Sequence, residues 1–76
     1  MIRNDIGINA GIIWQLLNRK GALPVSSIKA HTRFSSENIF YALGWLLRED
    51  KIVFFEKDDI EYVKLKVIEN FSEIYF

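Results

Sequence analysis

The sequence predicts an α+β fold of three helices followed by a β-hairpin, in a chain of 76 residues. Three observations carry this. Apolar residues recur at helical spacing over residues 6–17, serine pairs precede two further helical patterns, and Val63 to Val67 alternates with the period of a strand.

The first helix is expected to be capped by Asn4 or Asp5, to run to about Lys20 and to stop at Gly21. On a wheel of ~100° per residue, Ile6, Ala10, Ile13 and Leu17 share one face, with Trp14 and Leu16 at its margins. Ile8 and Ile12 lie away from it, where a solvated helix is normally polar, and so mark a second contact surface. Ala22 to Val25, around Pro24, reads as an edge strand or an extended lead-in. Ser26 or Ser27 then caps a short helix through about Thr32, Arg33 and Phe34 make the turn, and Ser35 or Ser36 caps a third helix ending near Asp50.

On the third helix the expected buried stripe is Ile39, Leu43, Leu46 and Leu47, with Phe40 at its edge. The outward arc carries Glu37, Asn38, Tyr41, Gly44, Trp45 and Arg48. Two β-rich runs follow, Lys51 to Phe55 and Ile60 to Val67, joined by a polar tip at Glu56-Lys57-Asp58-Asp59. Helix, short strand, helix, turn, helix and hairpin is the element order of a winged helix-turn-helix domain. In that architecture the third helix can enter a DNA groove and the hairpin is the wing. The chain reads as a single domain over residues 1–76, with 67–76 as an apolar C-terminal extension.

Ala42-Leu43-Gly44-Trp45-Leu46 and Arg48-Glu49 before Lys51-Ile52, with Ile6-Gly7, Asn9-Ala10-Gly11 and Trp14-Gln15-Leu16-Leu17, carry a resemblance. They resemble a family of small stand-alone bacterial winged-helix proteins of unknown function. The resemblance covers roughly residues 5 to 67 and implies a compact winged helix, as a homodimer, without transferring any catalytic or binding residue.

Composition narrows the activity. A domain this small hides only about 60% of the surface its unfolded chain exposes, so it commonly needs a disulfide, a metal or a partner. There is no cysteine and one histidine, His31, which leaves an apolar core or a second chain as the staple. No metal, cofactor or small-molecule substrate is expected: spacing offers no nucleophilic triad, no glycine-rich phosphate loop and no calcium-loop order. The chain is therefore read as a binding protein and not an enzyme. With no secretory pattern at the start and no apolar run approaching ~20 residues, the expected setting is the cytoplasm, away from membranes.

Two kinds of partner stay open: the architecture puts a homodimeric DNA-binding or transcription-regulatory domain first, and a protein-interaction or dimerisation module that has lost DNA binding is the alternative. For double-stranded DNA, the candidates are Lys29, Arg33, Ser36, Asn38, Tyr41 and Arg48, the bases meeting phosphate and Asn38 meeting adenine. Against DNA stand a formal net charge of zero and a hairpin tip where Glu56, Asp58, Asp59 and Glu61 face only Lys57. For a protein partner, or for the second copy in a homodimer, the candidates are Ile8, Ile12, Tyr41, Trp45, Phe71, Ile74, Tyr75 and Phe76. Lys64 and Lys66 read as lysines guarding a solvated strand edge. The spacing of Gly7 and Gly11 reads as close packing, within the protomer or across a dimer.

Overall fold

A computed structural model describes residues 3–66, with side chains from residue 5 onward. Helix α1 spans Arg3–Lys20, strand β1 Leu23–Pro24, helix α2 Val25–Thr32, helix α3 Ser36–Arg48, and strands β2 Ile52–Lys57 and β3 Ile60–Leu65. The order is that of a winged helix-turn-helix domain, with the β2–β3 hairpin as the wing.

Each boundary has a local cause. Helix α1 is already formed at Arg3, the first described residue, so Asn4 and Asp5 sit inside it and do not cap it; Asp5 still places a negative charge near the positive helix end. It stops at Gly21, whose φ of 80° needs no β-carbon and whose N–H donates to the Leu17 carbonyl at 2.8 Å. Helix α2 starts at Val25, one residue before the serines expected to cap it. Pro24, its N-cap residue, fixes the backbone in an extended conformation instead, and no side chain caps the helix. At its end Arg33 takes a left-handed conformation at φ 65°, and its N–H reaches the Lys29 carbonyl at 2.7 Å. Thr32 then fastens the turn: its hydroxyl donates to the Ile28 carbonyl at 2.8 Å and accepts from the Phe34 N–H at 3.2 Å.

Ser35 caps α3, its Oγ accepting from the Asn38 N–H at 3.1 Å. The helix ends at Arg48, and Asp50, at φ 61°, turns the chain into the wing.

The sheet order is β1-β3-β2, with both pairings antiparallel. Pro24 lies opposite Tyr62 on the edge strand β1, where a missing N–H is tolerated. Strand β3 ends at Leu65, short of the expected strand, and the turn is tighter than the sequence reading, because β2 continues through Lys57 and only Asp58 and Asp59 form it. Their φ values of 54° and 65° are those of a two-residue turn that matches the right-handed twist of its strands.

One core sits between the helices and the inner face of the sheet. Ala10, Ile13 and Leu17 of α1 meet Ile28 of α2, Ile39, Ala42, Leu43 and Leu46 of α3, Ile52 of β2 and Val63 of β3. Leu47 and Phe40, expected on or beside the buried stripe, are exposed instead. Ala42 explains the rotation. It is fully buried, so α3 seats on the core about its smallest residue, which turns the bulkier Phe40 and Leu47 outward.

Candidate interaction surface on the third helix

The face of α3 opposite the core carries Glu37, Phe40, Tyr41, Gly44, Leu47 and Arg48, all exposed. Three of these are large and apolar: Phe40 is 64% exposed, Tyr41 52% and Leu47 50%. Phe40 and Leu47 stand seven residues apart and so share one side of the helix. Tyr41 lies toward the α1 side, where it borders a shallow depression with Ile6, Ser35, Glu37 and Asn38.

The sequence-derived DNA candidates divide. Lys29, Arg33, Ser36, Tyr41 and Arg48 are exposed, on α2, the turn and α3. Asn38 is half-buried in that depression against α1 and leaves the outward face. Lys29 and Ser36 line a second depression of about 210 Å³ between α2 and α3, together with Val25, Ser26, Ile39 and Phe40. His31 uses its Nδ1 locally, donating to the Ser27 carbonyl at 2.9 Å.

The protein-interface candidates divide as well. Trp45 is half-buried and packs toward α1: a β-carbon built on Gly7 would stand 3.8 Å from Trp45 Cζ2. It thus packs toward the first helix and leaves the outward face. Gly7 packs within the protomer, while Gly11 faces open space. Ile8 and Ile12 are 61% and 45% exposed, which leaves the off-core side of α1 open. Phe71, Ile74, Tyr75 and Phe76 lie outside the described residues.

The lysines of the wing have partners within the chain. Lys64 lies in β3 and Lys66 directly after it, both past the Tyr62–Val63 stretch that β1 covers. Lys66 Nζ grips both carboxylate oxygens of Asp50, at 2.7 and 2.8 Å. Lys64 Nζ stands over the Phe55 ring, 5.5 Å from its centroid, and Phe55 stacks on Tyr62 at 5.2 Å. At the tip Glu56 lies directly opposite Glu61, beside Asp58 and Asp59. Such a tip repels phosphate.

Sequence reasoning missed Phe40 and Leu47 as surface residues. The available signal was Ala42, whose small side chain marks the centre of the buried arc but adds little to a stripe weighed by bulk. Among the described residues no cluster of His, Cys, Asp or Glu could hold a metal ion, and no helix is long and apolar enough to cross a membrane.

The fold recurs in solved structures. The chain is 29% identical to protein BT2368 from Bacteroides thetaiotaomicron, solved by solution NMR, with a TM-score of 0.79 over 95% of this chain and 88% of that one. It superposes on the crystal structure of the transcriptional regulator HlyU from Vibrio vulnificus with a TM-score of 0.70 at 22% identity, covering 88% of this chain and 69% of that one. The second likeness is one of fold. A search of the curated proteins finds no match. A family model described as a winged helix-turn-helix domain (DUF2582) matches residues 1–65, in agreement with every element from α1 to β3, and the chain belongs to that family.

Proposed function

We propose that this chain is a non-enzymatic winged-helix module of regulatory type whose third helix binds a protein partner. The observation that carries the reading is the exposure of Phe40, Tyr41 and Leu47 on the α3 face opposite the core. A helix that reads base edges presents groups able to hydrogen-bond there, whereas large exposed apolar side chains are the anchors of protein interfaces. Charge supports the same partner. The chain has no net charge, and the like-charge tip at Glu56 and Glu61 is of the wrong sign for a wing that touches phosphate.

Duplex DNA is the second reading. It is favoured by the exposed Lys29, Arg33 and Arg48 around α3 and by the fold shared with a transcriptional regulator. A titration of the full chain with random duplex at low salt, followed by NMR, separates the two. The amides of Ser36 to Leu47 are expected to stay in place. Shifts centred on Arg33, Ser36 and Tyr41 that fade as salt rises, as counterion release demands, would replace the protein reading with DNA.

A further inference from the structure

We propose that residues 67–76 fold back into the groove between α1 and α3 of their own chain. That surface is distinct from the outward face of α3. The groove, of about 320 Å³, is lined by Gly7, Ala10, Gly11, Trp14, Trp45 and Lys51, among others. Its walls include two half-buried indoles, and nothing stands within 4 Å of where a β-carbon of Gly11 would be. A side chain from outside can therefore approach the helix backbone there. On the helical wheel Ile8 and Ile12 continue the same apolar surface past Gly11 and Gln15, and both are exposed. Groove and lip together form a surface along α1, largely of indole, glycine and isoleucine and interrupted by Gln15, that the described residues leave uncovered.

The chain itself supplies a cover of matching chemistry. Strand β3 ends at Leu65, opposite Ile52. The next residue is held twice: the Lys66 N–H donates to the Lys51 carbonyl at 2.9 Å, and its Nζ grips Asp50. Lys51 is on the groove's rim. The remaining ten residues thus depart one strand partner away from the groove, and six of them are apolar: Val67, Ile68, Phe71, Ile74, Tyr75 and Phe76. Reach is ample. The stretch of α1 from Gly7 to Gln15 is about 12 Å long at ~1.5 Å per residue, against roughly 33 Å for ten extended residues or about 15 Å for a helical segment.

Tethering decides between this chain and a second copy. A segment on a short linker meets its own groove at an effective concentration in the millimolar range, above that of a second copy in ordinary solution. The staple for this small domain is then its own C-terminal segment, in place of the homodimer contact expected from the sequence.

The chain has no cysteine, so a single nitroxide label placed through Ser72→Cys in the full-length protein reports the segment's position. Loss of NMR signal from the Gly7 and Gly11 amides and the Trp14 and Trp45 indoles within the labelled chain is the expected result. Glu73→Cys, labelled in the same way, repeats the measurement should the first label disturb the fold. The proposal is overturned by unattenuated groove signals with both labels. It is equally overturned by losses confined to Phe40 and Leu47, or by groove losses seen only when label and isotope are on different chains, which would place the segment on a second copy.

Discussion

The indole of Trp45 lies 3.8 Å from the position that a β-carbon on Gly7 would occupy, an ordinary van der Waals separation. This contact ties the middle of α3 to the first half of α1. It also shows that the glycine leaves room for a methyl group. Gly7→Ala is therefore expected to stabilise the domain by up to about 1 kcal/mol, since it removes the helix penalty of glycine without a clash. Urea denaturation of the two proteins measures the difference, and a loss of stability would mean that Trp45 approaches the backbone more closely than this.

The cap of α3 offers a second prediction. Ser35 Oγ accepts the Asn38 N–H at 3.1 Å, and Ser35→Ala leaves that donor to water. A loss of about 1 kcal/mol is expected. The same change at Ser26 or Ser27 should cost less as a cap, because Pro24 starts α2 without any side-chain cap.

At the wing tip, Glu56 and Glu61 face each other across the hairpin. Glu61→Lys converts a like-charge pair into an opposite one, with an expected gain of roughly 0.5 kcal/mol that shrinks as salt is added. Thermal melts at two ionic strengths check both the sign and the salt dependence.

Core and surface should separate cleanly. Ile13 is fully buried, and Ile13→Ala is expected to cost about 2–5 kcal/mol through lost transfer energy and a residual cavity. Against roughly 4–11 kcal/mol of total stability for a domain this size, that brings the variant close to unfolding. Phe40→Ala, on an exposed side chain, should change stability by no more than about 0.5 kcal/mol. A large loss at Phe40 would show that the α3 face is structural and would remove the observation on which the protein-binding reading stands.

The element order was legible in the sequence because it follows from local chemistry. Gly21 readily takes the positive φ that ends α1, Ser35 is a good cap in any helix, and the alternation from Val63 to Leu65 specifies a half-buried strand. The departures have a common cause. Ser26 and Ser27 do not cap because Pro24 has already set the chain direction. Strand β3 is central at Tyr62 and Val63 because β1 pairs with it there across 38 residues of sequence or more, a partner that no local pattern announces.

The site shows the same division. Residue types and spacing were enough to establish a winged-helix chain with an acidic wing tip, surplus apolar side chains and too little positive charge for an ordinary phosphate-binding surface. Only the tertiary structure decided which apolar side chains are surplus. Helix α3 seats through Ala42, so Trp45 and Asn38 turn toward α1 while Phe40 and Leu47 turn out. A periodic pattern fixes which residues share a face; the rotation of that face against its neighbours is set by how closely the helices approach, and that depends on residues far apart in the chain.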